Sequence, residues 1–137
     1  MGLIHLDAGV VIGLLDANDA HHQAATEALA DALRAGDRLA MAASAFAECL
    51  VGPSRRGGKA VTVLRDLFAR LPIDVVDLDA DTAQAAASLR ARHRSLRLPD
   101  ALVLATAAQC NADQLITTDH RWPTARKLGL ALTITVL

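Results

Sequence analysis

The chain has 137 residues, a formal net charge of −1 and three aromatic side chains, Phe46, Phe68 and Trp122. That length suits one domain with a core of its own. Near-neutral charge supplies no global basic field for a polyanion, and so few rings exclude a stacking platform for single-stranded nucleic acid.

Residues 2–6 (GLIHL) are a short apolar run ending at Asp7 and predict a first strand, with a brief helix over 10–16. Asp19 stands where it can cap a helix over 21–35 that stops at Gly36. Residues 39–42 predict a second strand, after which Ser44 caps a helix to about 51, ended by Gly52-Pro53. Gly57-Gly58 opens another helix to about 71, and the β-branched run 73–76, bounded by Pro72 and Asp77, predicts a third strand. Asp79 or Asp81 caps a helix to about 94, and Pro99 takes the first position of one reaching 110. A strand over 114–117, a short helix over 121–128 and a strand over 131–136 complete the chain.

Strands alternating with helices imply an α/β domain with a mostly parallel sheet covered on both faces. Ligands of such sheets lie beyond the carboxyl ends of the strands, where the strand order switches. Alanine, at 29 residues, favours closely packed helices. No repeat, linker or low-complexity tract divides the sequence, so residues 1–137 read as one domain. Cys49 and Cys110 lie in apolar helical patterns without zinc-type spacing, and two buried thiols suit a reducing cytoplasm. The first segment lacks a basic leader and carries Asp7 within its apolar run, unlike a signal peptide or a membrane span.

The most informative residues are acids without charged company. Asp7 is the only formally charged residue from Gly2 to Leu15, and Glu48 the only one from Leu39 to Ser54. Asp100 holds that place from Leu98 to Ala112, and Asp119 from Gln114 to His120. Each also has a plain structural role open to it: Asp7 as a helix cap, Glu48 as a solvated helix residue, Asp100 at a helix dipole and Asp119 in a turn. Together they say more. Two unit charges about 4 Å apart repel by about 4 kcal/mol at an effective dielectric of about 20, so a cluster of carboxylates raises its own pKa values unless a cation joins it. Ligands that are all oxygen favour Mg²⁺ or Mn²⁺ over zinc.

Seven of the 14 basic residues fall in two stretches, Arg55, Arg56 and Lys59, then Arg90, Arg92, Arg94 and Arg97. They read either as solvated helix-end charge or as contacts for a phosphate backbone.

The segments LDAGVVIGLLD, SAFAECLVGP, RLPDALVLATA and ITTDH, in that order and spacing, resemble PIN-domain ribonucleases, specifically the VapC-like toxins of toxin–antitoxin pairs. The likeness runs from Leu3 to Val136 and implies a PIN-like three-layer sandwich, with a five-stranded sheet, and a Mg²⁺-dependent endoribonuclease site. It implies Asp7, Glu48, Asp100 and Asp119 as metal acids, and Thr117 as a hydroxyl orienting Asp119 or a water. It further implies an RNA substrate, a VapB-like antitoxin, frequent homodimerisation and products with a 5′-phosphate and a 3′-hydroxyl. Arg55, Arg56, Lys59, Arg92, Arg94 and Arg97 are then the expected RNA-backbone contacts. Two departures stand out: Ala8 and Gly9 follow Asp7 where many relatives carry serine or threonine, and Cys49 follows Glu48 where an aliphatic residue is usual.

Rival readings meet specific objections. A phosphatase or phosphotransfer enzyme with Asp7 as nucleophile lacks a second acid at Gly9, and the last strand, ALTITV, has no lysine for a receiver-type site. A non-catalytic PIN-like module would not be expected to keep all four acids. A dinucleotide-binding domain lacks a Gly-x-Gly-x-x-Gly after the first strand. His21 and His22 read as surface residues, His5 as a hydrogen-bonded core residue and Trp122-Pro123 as packing at a helix start.

Overall fold

The computed structural model describes residues 1–137. In chain order the elements are β1 (Leu3–Leu6), α1 (Ala8–Leu15), α2 (His22–Arg34), β2 (Arg38–Ala42), α3 (Ala43–Arg56) and α4 (Gly58–Ala69). There follow β3 (Ile73–Val76), α5 (Ala80–Arg92), α6 (Leu98–Gln109), β4 (Gln114–Thr117), α7 (Ala125–Leu128) and β5 (Thr133–Val136).

The strands form one sheet in the order β3-β2-β1-β4-β5, and all four pairings are parallel. The chain builds outward from β1 through β2 to β3, then crosses back to lay β4 on the other side of β1. That reversal opens a crevice at the carboxyl ends of β1 and β4. Asp7 sits at its floor, because its N–H still donates to the Ile116 carbonyl at 2.9 Å, carrying the β1–β4 pairing past the last residue of β1. Helical crossovers join the parallel strands, with α1 packed on α2, α3 on α4 and α5 on α6, and strands and helices together make the expected α/β architecture.

The core is a continuous cluster of 27 buried residues. Its most deeply sunk helix is α6, where Ala101, Val103, Leu104, Ala105, Thr106 and Ala107 are all buried. A helix apolar on most sides must be enclosed, and small alanines let α5 approach it closely. The one hydroxyl there, Thr106 Oγ1, donates to the Leu102 carbonyl at 2.7 Å and so enters the core satisfied.

Several local expectations fail for identifiable reasons. The helix α3 runs through Gly52-Pro53 to Arg56 and stops only at Gly57, whose φ of 119° favours glycine. A proline bars an α conformation before it unless packing holds that turn; here Ala45 and Cys49 anchor the helix in the core. Ser44 lies inside α3 with a buried, unpartnered Oγ, and Ala42 takes the cap position. Asp19 accepts from the His21 N–H at 2.8 Å, closing the turn before α2 without capping the helix itself. The last helix is only Ala125–Leu128, capped by Thr124. His5 is buried in the central strand but neither ring nitrogen has a partner, and burial lowers its pKa to about 4. His22 is not a free surface residue, since its Nδ1 lies 2.8 Å from the Gly13 carbonyl. Of the two thiols, Cys49 is buried and Cys110 only partly so.

Candidate active site at the carboxyl ends of the central strands

Asp7 leaves β1 in an extended conformation and starts α1 as its cap. Its Oδ1 accepts from the Ala8 N–H at 2.8 Å, and its Oδ2 accepts from the Thr117 hydroxyl at 2.8 Å. Thr117, fully buried at the end of β4, also accepts from the Asp119 N–H at 3.1 Å. One hydroxyl therefore fixes a carboxylate of the central strand to the backbone of the β4 loop. Burial pushes the Asp7 pKa up; the Thr117 and Ala8 hydrogen bonds pull it down, and the charges of Asp100 and Asp119 push it up again. The helix-capping role open to Asp7 is thus real, but it leaves the carboxylate half-buried with no cation.

Glu48 projects from α3, which packs against α6, the helix that carries Asp100 in its first turn. Partial desolvation raises the Glu48 pKa, the charges of Asp7 and Asp100 raise it further, and Arg97 lowers it. Acids scattered through the sequence thus meet around Asp7, which lies within electrostatic reach of Asp100 and Asp119, as Glu48 does of Asp7 and Asp100.

Two of the four have arginine partners. Asp100 is 14% exposed at its side chain and meets Arg97 Nε at 3.5 Å. Asp119 is held by Arg121, whose backbone N–H and Nε donate to Oδ1 at 2.9 and 3.1 Å, and whose Nη2 donates to Oδ2 at 3.1 Å. Those bonds hold the Asp119 carboxyl below its usual range against the effect of burial. Sequence reasoning passed over Arg121, although an arginine two residues after an aspartate is placed for an Asx-type turn that brings it back to the carboxylate.

The donor chemistry fits a hard divalent cation: carboxylate oxygens only, with the pKa of Asp7 and Glu48 raised first by burial and then by the neighbouring acids. The acids are not drawn into a closed cage, since no three His, Cys, Asp or Glu side chains stand together at metal-holding distance. Asp119 is turned to Arg121 and Asp100 to Arg97. The residues suit the ion by type and by mutual charge, and need side-chain rotation to embrace it.

Of the expected RNA contacts, Arg97 reaches this cluster. Arg56 lines a groove of about 420 Å³ beside Glu48, walled by Ile12, Leu15, Cys49 and Pro53. Arg55, Lys59 and Arg94 are exposed, and Arg92 donates to the Ser88 carbonyl at 3.4 Å; none of these bonds to the acids. The Cys49 thiol is buried beside Glu48 and its pKa is pushed up to about 12, chiefly by burial, so it packs like the aliphatic residue it replaces. Gly9 has its own reason: a Cβ there would overlap the Thr118 hydroxyl, which fills the space beside the turn after Asp7.

No helix is long and apolar enough to cross a membrane. Among curated proteins no sequence matches. The fold is similar to VapBC2 of Rickettsia felis, solved bound to a DNA fragment from its promoter, at 16% identity and a TM-score of 0.71 over 98% of both chains. It is similar to VapC20 of Mycobacterium tuberculosis, a toxin that cleaves the sarcin–ricin loop, at 19% identity and a TM-score of 0.65 over 82% of this chain and 86% of the other. A toxin–antitoxin complex from Klebsiella pneumoniae matches at 24% identity and a TM-score of 0.64, over 85% and 86%. The PIN domain family model matches residues 4–128, spanning four of the five strands and every acid of the cluster, and the chain belongs to that family.

Proposed function

We propose that this chain is a Mg²⁺-dependent endoribonuclease, able to use Mn²⁺, and the toxin of a cytoplasmic toxin–antitoxin pair. The observation that carries the proposal is the half-buried Asp7 carboxylate at the strand switch, raised in pKa by burial and facing Asp100 and Asp119 with no cation of its own. The fold shared with toxin–antitoxin proteins supports a VapB-like antitoxin as partner, and a homodimer as the working unit is part of the same proposal.

In this reading Asp7 and Asp100 hold the principal ion, and Glu48 and Asp119 complete its shell or hold a second. An ion held by these residues would supply a water of lowered pKa and neutralise charge at the scissile phosphate. Thr117 keeps the Asp7 carboxylate aimed through its 2.8 Å bond. One of the four carboxylates would take the proton of the attacking water. Arg97 and Arg56 flank the acids and hold the RNA backbone, with Arg55, Lys59, Arg92 and Arg94 extending the track.

The test is cleavage of cellular RNA by the purified protein, with product ends mapped. Mg²⁺-dependent cuts leaving 5′-phosphates are expected. Cutting that persists undiminished in EDTA would overturn the proposal.

A further inference from the structure

Arg121 is the one cation that grips an acid of the cluster with a full fork. Three of its donors, the backbone N–H, Nε and Nη2, engage both oxygens of Asp119 at 2.9 to 3.1 Å. The Arg97–Asp100 contact, by contrast, is a single approach at 3.5 Å. Asp119 is a poor place for an ordinary surface ion pair, because its side chain is only 16% exposed while that of Arg121 is 79% exposed. The Asp119 backbone N–H donates to Thr117 Oγ1, and the carboxylate itself is held only by Arg121. The fork takes three acceptor positions of the Asp119 carboxylate and sets a positive charge against it, so this acid must shed donors before it joins Asp7 and Asp100 around an ion.

We propose that Arg121 is a positioning residue that acts as an internal counter-ion latch, competing with the divalent cation for Asp119. The inference rests on the metal-dependent reading above. In the metal-free chain the guanidinium takes up part of the charge that the four acids place on one another. Loading of the ion frees Asp119, and Arg121 swings into solvent on its long, exposed side chain. The latch sets how much divalent cation the protein needs before the site assembles, and it accounts for four acids that share one crevice without forming a cage.

Calorimetric titration with Mn²⁺ tests this on the full chain, comparing the parent, Arg121→Gln, Asp119→Asn and the double variant. Arg121→Gln is expected to tighten Mn²⁺ binding about fivefold, the scale of a well-formed exposed ion pair. In the Asp119→Asn background the same substitution is expected to change nothing, because the carboxylate it frees is gone. An unchanged Mn²⁺ affinity for Arg121→Gln overturns the latch and leaves the metal site standing. So does an equal gain in both backgrounds, which would reflect charge acting at a distance. Absence of Mn²⁺ binding by all four proteins removes the metal-dependent reading and the latch together.

Discussion

The two ends of the central strands use the same residue type for opposite purposes. At the amino end, Asp37 accepts from the Gly2 N–H at 2.7 Å and Asp113 accepts from the Leu3 N–H at 2.8 Å, so these acids secure the start of β1. At the carboxyl end, Asp7 and Glu48 face other acids and rise in pKa. A hollow of about 440 Å³ also lies at the amino end, lined by Met1, Leu3, Arg38 and Cys110 among others, with Asp113 the single acid in its wall. Chemistry follows the supply of donors and charges, and a cavity alone is a poor guide to it. At the amino end backbone N–H groups hold acids that stand apart; at the carboxyl end Asp7, though hydrogen-bonded to Ala8 and Thr117, lies within reach of the charges of Asp100 and Asp119.

The sharpest way to break this contrast is Asp7→Asn. RNA cleavage is expected to fall by about a hundredfold or more, since even groups supporting metal ligands carry 10- to 100-fold effects. The fold is expected to be as stable as the parent or more so in metal-free buffer. The sign follows from the raised pKa: the folded state binds a proton at Asp7 more readily than the unfolded chain, so ionisation at neutral pH opposes folding. Urea melts of the two proteins check it, and a clear loss of stability in the variant would contradict the assignment.

Between the two ends lies His5, the next largest effect. Its folded pKa of about 4 lies below the ordinary 6.5, so the unfolded chain takes up the proton first. Stability that is full above pH 6.5 is lost as pH falls toward 4, by up to about 3 kcal/mol. His5→Leu is expected to flatten that part of the pH–stability curve; an unchanged curve would show that His5 finds a partner in solution.

Thr117→Val sharpens the carboxyl end specifically. It removes the donor to Asp7 and the acceptor for Asp119, and cleavage is expected to drop about tenfold. The acid limb of the pH–rate profile should also move to higher pH, because Thr117 lowers the Asp7 pKa. A drop in rate with an unmoved acid limb would assign Thr117 to packing alone. At the amino end, Asp37→Ala is expected to cost about 1 kcal/mol of stability, the worth of its hydrogen bond, with cleavage by the folded protein unchanged. If it impaired cleavage as Asp7→Asn does, the two ends would not differ in the way described.

What could be read from sequence follows the same physics. The strands at 73–76 and 114–117 match to the residue, one bounded by Pro72 and the other by the end of the α6 pattern. The four acids were visible because each interrupts an apolar stretch, and a parallel sheet with one strand reversal has only one crevice to bring them to. Arg121 is hard to read as a partner because Asp119 stands alone in the chain as far as His120, and the arginine that turns back to it lies one residue beyond. The passage of α3 through Gly52-Pro53 escaped because tertiary packing of Ala45 and Cys49 outweighs a local stop signal. The orphaned nitrogens of His5 could not be foreseen, since a pattern of burial says nothing about which acceptors a neighbouring element presents.

Failure to cut a given RNA can reflect the wrong RNA, so the most direct measurement is thermal unfolding of parent and Asp7→Asn across a Mn²⁺ titration. A ligand that binds only the folded state raises the melting temperature by mass action. Mn²⁺ is expected to raise that of the parent progressively and to leave the variant nearly unmoved. Equal shifts in both proteins, or none in the parent, would contradict a site in which the acids at the strand switch are completed by a hard cation.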